Sequence, residues 1–431
     1  MRTVRRCSLF VAAVVSFLSV TAAPGVAHGW DRPAAEALAP AAIGDPSTFL
    51  PLPPARIADT RNATGGIQGP VASDVTIEIP VRGVGGVPDQ ATSVVLNVTA
   101  VDPQGGGYFT IFPSGTPRPA SSSLNVVPGR NVANLVIARI GDNGKVSVYN
   151  FGGPAHVISD VTGYFVAGTA AGRFYGSVPT RLVDTRSTPR VNGTIGPVGP
   201  GSQINLTVHT GLPADIHWSA VLVNITATNS TSSGYLTAYP TGDTLPLASN
   251  LNFLAGQTVA NAAIIKVGPT STGGSGITIF NAFGSTDVIV DVVGVFDDGT
   301  LATGFTVPSA FQALEQPVRI LDTRPTASPF GHETRQVNVA GAGGAPLGAL
   351  GVVLNATATN TTAPSYLSIW PPPFPQPVVS SLNWGPGETV PNFVGVFIAS
   401  GGASPGTLSI YNDAGKADLI LDVTGYFYRV P

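Results

Sequence analysis

One hexapeptide occurs three times in this 431-residue chain: RIADTR at Arg56–Arg61, RLVDTR at Arg181–Arg186 and RILDTR at Arg319–Arg324. Each copy opens a unit of about 125–138 residues that then repeats other segments in the same order. SSLNVVPGRNVAN ends at Asn134, SNLNFLAGQTVAN at Asn261 and SSLNWGPGETVPN at Asn392. The closing strands are SDVTGYF to Phe165, VDVVGVF to Phe296 and LDVTGYF to Phe427. A chain written this way is three versions of one supersecondary unit. The repeats fall at 50–167, 168–298 and 299–431.

Within a unit the apolar period is two, which means strands. Leu96, Val98 and Ala100 share one face of VLNVTA while Asn97 and Thr99 take the other; Asn224/Thr226 and Asn355/Thr357 repeat this. Fifty-two glycines and 39 prolines separate short Val/Ile/Leu runs, as in an all-β chain with many turns. Seven or eight short strands per unit predict an all-β fold of three tandem β-sandwich domains. The alternative is a six-bladed β-propeller with two blades per repeat.

The units resemble those of exported actinobacterial tandem-repeat proteins, which read R-[IL]-x-D-T-R, L-N-x-T, S-x-L-N and D-V-x-G-Y-F. The elements cover essentially all of residues 50–428. The resemblance implies export and tandem β domains, and it implies no general activity for the repeat. The second unit departs from the pattern at Val293 and Val295, where the others carry Thr and Tyr.

The N-terminus has the order of a secretory signal peptide: basic MRTVRR, an apolar run, then small residues, with cleavage expected after Ala27. The run is short for a bilayer span, so no membrane insertion is expected after cleavage. Residues 28–49 read as an Ala/Pro-rich linker. Cleavage removes the only cysteine, Cys7, and leaves 18 basic against 24 acidic side chains. Disulfides and thiolate chemistry are thereby excluded. There is no basic footprint for nucleic acid.

No nucleophile elbow and no metal-ligand spacing occurs, so neither a catalytic residue nor a cofactor is expected. The glycine-rich Val81–Pro88 and Val339–Pro346 lack the strand-to-helix context of a phosphate loop and read as turns.

Two features invite a role. The first is charge. Arg56, Asp59, Arg61 and Asp160 recur as Arg181, Asp184, Arg186 and Asp291, and again as Arg319, Asp322, Arg324 and Asp422. An acid within an apolar closing strand is costly to bury unless paired, so a structural Arg–Asp network is expected rather than a hydrolase's carboxylate pair. Simple alternation puts Asp59 and Arg61 on one face and Arg56 on the other, leaving open which arginine meets the closing strand. The second feature is aromatic. Tyr108 and Phe112, Tyr235 and Tyr239, and Tyr366 and Trp370 each flank a hydroxyl residue, a row able to stack on sugar rings or to fill a core. The expected function is a secreted, non-enzymatic, cell-surface or cell-wall-associated scaffold with a glycan partner. A purely structural surface protein is the alternative, and a hydrolase using the aspartates a second one.

Overall fold

The computed structural model describes residues 46–429 apart from 169, 187–195, 209–216, 272, 301–306 and 399–404. The signal peptide, most of the linker, His28 and His209 lie outside the described residues. No helix occurs among those described, and none is long and apolar enough to cross a membrane.

Repeat 1 contributes β1 (Ser47–Asp59), β2 (Val75–Pro80), β3 (Ala91–Val101), β4 (Gly107–Pro113), β5 (Leu124–Val126), β6 (Val132–Arg139), β7 (Lys145–Phe151) and β8 (His156–Ala167). Repeat 2 follows with β9 (Phe174–Asp184), β10 (Ser202–Thr207), β11 (Trp218–Thr228), β12 (Gly234–Pro240), β13 (Leu251–Phe253), β14 (Val259–Lys266), the two-residue β15 (Gly268–Pro269), β16 (Ser275–Asn281) and β17 (Asp287–Asp297). Repeat 3 has β18 (Ser309–Asp322), β19 (Glu333–Asn338), β20 (Gly351–Thr359), β21 (Ser365–Trp370), β22 (Leu382–Trp384), β23 (Val390–Phe397), β24 (Thr407–Asn412) and β25 (Asp418–Arg429). Strand β1 begins at Ser47, and Phe49 is fully buried, so the last residues assigned to the linker are strand and core.

Each repeat is a two-sheet sandwich, and the described residues form no closed barrel or propeller. The outer sheet of repeat 1 runs β2-β7-β4-β5, matched by β10-β16-β12-β13 and β19-β24-β21-β22. The inner sheets run β6-β3-β8-β1, β14-β11-β17-β9 and β23-β20-β25-β18, all antiparallel. Three separate cores fill the spaces between the paired sheets.

The inner strands are buried on both faces, and this couples the repeats. In β3, Val94, Leu96, Val98 and Ala100 enter the core of repeat 1, whereas Val95 enters a fourth core shared by all three repeats. One bridge joins Ser47 to Phe311 and another joins Ser309 to Phe174, merging the inner sheets into a single 12-stranded sheet. Phe49 N donates to Gly172 O at 2.9 Å, which links repeat 1 back to repeat 2.

At the centre of the fourth core six phenylalanines close a belt: Phe49, Phe296, Phe174, Phe427, Phe311 and Phe165. Successive ring centroids lie 4.6, 5.0, 4.2, 5.2, 4.4 and 5.3 Å apart, the last returning to Phe49. Contacts within a repeat alternate with contacts between repeats, so the repeats are related by an approximate threefold axis. The belt explains the glycine of D-V-x-G-Y-F. A Cβ on Gly163, Gly294 or Gly425 would stand 2.3, 2.5 or 2.5 Å from the ring of Phe49, Phe174 or Phe311. No side chain fits there.

The departure of repeat 2 from the pattern also has a packing cause. Tyr164 pairs across the ladder with Leu50 and Tyr426 with Gln312, whereas Val295 pairs with Tyr175. The large ring has changed strands. Buried Tyr175 packs against Trp218 at 6.0 Å and sits beside the buried Arg173–Asp297 ion pair found in this repeat.

Candidate functional site

The recurring charges form one network per repeat. Arg56 Nε and Nη2 meet Asp160 Oδ1 and Oδ2 at 2.8 and 3.2 Å, a bidentate fork, while its Nη1 reaches Asp59 Oδ2 at 3.3 Å. Arg61 clamps Asp59 from the other side at 2.9 and 2.7 Å. Arg319 forks Asp422 at 2.9 and 3.1 Å and touches Asp322, which Arg324 clamps at 2.9 and 2.6 Å. In repeat 2, Arg181 joins Asp291 to Asp184, and Arg186 clamps Asp184. The first arginine therefore meets the closing strand.

Simple alternation missed this because the strand is bulged. Arg56 pairs with Asp160 but Ala58 with Ser159, and the same shift follows Arg181 and Arg319. The extra residue turns Arg56 onto the face of Asp59. All six aspartates are thus held as ion-pair partners.

Their titration splits by position. The Arg61, Arg186 and Arg324 hydrogen bonds hold Asp59, Asp184 and Asp322 below the usual carboxylate range. Burial pushes Asp160 and Asp422 up against the opposing pull of Arg56 and Arg319. Burial raises Asp291 furthest, to about 6. Its fork has slipped: Arg181 Nη2 donates instead to Val378 O of repeat 3 at 2.7 Å, leaving Asp291 Oδ2 without a side-chain partner. A raised carboxylate pKa in the fold means that its stability contribution is full below the unfolded value and is lost as pH rises through about 6. Asp184 has the opposite sign and loses its contribution as pH falls through its lowered pKa. A carboxyl signal assigned to Asp291 is expected to titrate near pH 6 and to vanish in Asp291→Asn; a midpoint below 4 would contradict the slipped fork.

The Asn-x-Thr triplets are interfaces. Asn134 Nδ2 donates to Asn355 Oδ1 at 3.0 Å, Asn261 Nδ2 to Asn97 Oδ1 at 3.0 Å, and Asn392 Nδ2 to Asn224 Oδ1 at 2.9 Å. Each donor belongs to one repeat and each acceptor to the repeat before it, with repeat 1 donating to repeat 3, so the cycle closes. Asn97, Asn224 and Asn355 also donate to Ser249, Ser380 and Ser122 carbonyls across the same boundaries. The strand alternation sets these asparagines on the face opposite the core of their own repeat, and their partners there belong to another repeat. The threonine half of the pattern differs, since buried Thr99 and Thr226 have no partner for Oγ1.

The aromatic rows do not form flat platforms. Phe112, Tyr239 and Trp370 are buried, and the hydroxyls between the rings are spent on Ser121, Ala248 and Val379 carbonyls. Tyr108, Tyr235 and Tyr366 remain half-buried, each beside a second ring: Phe151, Phe283 and Tyr411. Among the described residues no cluster of His, Cys, Asp or Glu suits a metal ion. His156 bonds Thr60 at 2.9 Å, His217 lies 3.6 Å from Asp298, and His332 packs on Tyr411.

Sequence reasoning missed a cavity of about 350 Å³, where equivalent segments of all three repeats converge on the axis. Its walls include Ala133, Ala260 and Pro391, one strand step beyond the Leu135/Ala262/Phe393 layer of the shared core. That layer lies between the cavity and the belt, so the cavity is blind. Val132, Val259 and Val390 also line it, with Asn125, Asn252 and Asn383. The threefold relation fails at Arg130, Gln257 and Glu388, which hold equivalent positions with three different charges. Arg130 Nη1 donates to Glu388 Oε1. Tyr235 and Phe283 of repeat 2 supply an aromatic wall, 6.0 Å apart and edge-on, and their counterparts in the other repeats do not line the cavity.

No protein-family model and no curated protein matches the chain. Among solved structures it is similar to a chain from the triple jelly roll fold and turret assembly of an archaeal virus, at 10% identity, with 89% of this chain and 91% of that one covered and a TM-score of 0.17. A chain of Sulfolobus Turreted Icosahedral Virus gives 10% identity, 89% and 92% coverage and 0.17. The tandem CBM22-1–CBM22-2 domain of Paenibacillus barcinonensis Xyn10C gives 13% identity, 56% and 97% coverage and 0.16. At these scores the likenesses bear on neither ligand nor activity.

Proposed function

We propose that the chain is an exported, non-enzymatic binding and scaffold protein of the cell surface or cell wall, and that its ligand is a glycan held in the axial cavity. The observation that carries this reading is the broken symmetry there. Three repeats of one pattern build one blind cavity, and only one of the three aromatic pairs, Tyr235 with Phe283, lines it. A ring face beside carboxamides and one cation–anion pair matches what a sugar offers: an apolar face edged by hydroxyls. The volume lies at the lower end of ligand pockets, roughly 300–1,000 Å³, enough for a chain end rather than a long polymer.

The aspartates contribute rigidity, in this reading, and no catalytic step is assigned to them. Export rests on the signal-like N-terminus and on the resemblance of the repeats. A purely structural role draws support from the phenylalanine belt and the asparagine cycle, which hold the repeats together without any ligand.

Retention of the mature chain on insoluble peptidoglycan and on arabinogalactan-type polymers tests the proposal. Tyr235→Ala combined with Phe283→Ala is expected to weaken retention at least about tenfold, whereas Tyr108→Ala, outside the cavity, leaves it unchanged. Equal retention of all three proteins would remove the axial site from the account.

A further inference from the structure

The hydrogen-bond inventory of the cavity goes further than its shape. Gln257 Oε1 accepts from the backbone N–H of Leu254 at 3.0 Å, and Asn131 Oδ1 from that of Asp102 at 3.0 Å. A backbone N–H can only donate, so both carboxamides are fixed with the oxygen turned to the protein and the NH2 left over. Asn252 Nδ2 is buried with no partner at all. Arg130 adds a guanidinium of which one N–H is taken by Glu388. Among the acceptors, Glu388 receives both Arg130 and the Gly385 N–H, the latter at 2.7 Å, while the Asp102 carboxylate also faces the lining. The cavity therefore presents the Gln257 and Asn131 carboxamide donors and the Arg130 guanidinium beside one open carboxylate, Asp102.

Its charge limits what the acceptors can be. Arg130 is offset by Glu388, and Asp102 adds a further negative group. A carboxylate or phosphate would meet a lining with a net negative charge, whereas a neutral carbonyl accepts two hydrogen bonds without that repulsion.

We infer that the axial cavity selects an N-acylated sugar, its amide carbonyl received by the Gln257 and Asn131 NH2 groups and its ring face against Tyr235 and Phe283. This rests on the glycan reading above and names the class of sugar.

Calorimetric titration of the mature chain with N,N′-diacetylchitobiose, cellobiose and glucuronic acid tests it, since the first two share linked rings and differ in the acetamido groups. The diacetylated probe is expected to bind about tenfold or more tighter than cellobiose, with glucuronic acid weakest. Gln257→Glu exchanges a donor for an acceptor at a turn that tolerates glutamate, as Glu388 demonstrates by capping the equivalent turn of repeat 3. That variant is expected to lose most of the preference between the two disaccharides. Equal affinity for the two disaccharides, tighter binding of glucuronic acid, or an undiminished preference in Gln257→Glu would each overturn the inference and leave the glycan site standing. Failure of folded wild-type protein to bind any of the three probes would overturn the inference. The glycan reading itself falls if that protein also fails to be retained on the polymers.

Discussion

Replacing Arg56 by methionine is expected to cost about 3–5 kcal/mol of folding stability, read from urea unfolding at neutral pH. The change strips Asp160 of both arms of its fork, and that carboxylate is 1% exposed within an apolar strand. Arg61 cannot take over, because Asp59 holds it from the other face. Two controls separate this cause from lost packing. Adding Asp160→Leu to Arg56→Met should restore a large part of the loss, since neither charge then remains to be buried. The single variant should also lose less at acid pH: with Arg56 gone, burial and the neighbouring Asp59 charge raise the Asp160 pKa further, so that protonation relieves the cost. A loss below about 1 kcal/mol would mean that Asp160 is solvated, and the network is then decoration.

Phe174→Ala is expected to cost a similar amount, about 3–5 kcal/mol, by opening a cavity at the axis. The effect should spread, because Phe174 packs on Phe296 of its own repeat and on Phe427 of the next, while Ser309 Oγ donates to its carbonyl at 2.8 Å. Wild-type protein is expected to unfold in one transition, since the described residues of all three repeats share one core. In Phe174→Ala that transition should broaden or split. A wild type that melts in three independent steps would contradict the shared core.

The sandwich was legible in the sequence because period two and recurrent breakers act locally, and the RxxDTR charges were legible because a buried acid needs a partner. The pairing itself was hidden by a one-residue bulge at Ile57, which composition does not reveal. Phe49 was read as linker since the flanking residues of Phe49, Phe174 and Phe311 share nothing but the ring. The aromatic rows looked like platforms because strand alternation cannot distinguish a solvent face from one covered by another part of the fold. The axial cavity was the least legible feature. Its distinctive residues, Arg130, Gln257 and Glu388, are the positions where the repeats disagree, and comparing copies draws attention to agreement.

The central claim is that one ligand site is assembled from all three repeats. Hydrogen exchange of the mature chain with and without N,N′-diacetylchitobiose measures it most directly. The account expects added protection in three separate segments together, around Asn125–Ala133, Asn252–Ala260 and Asn383–Pro391. Protection confined to one repeat, or centred on the outer-sheet rings Tyr108 or Tyr366, would contradict it.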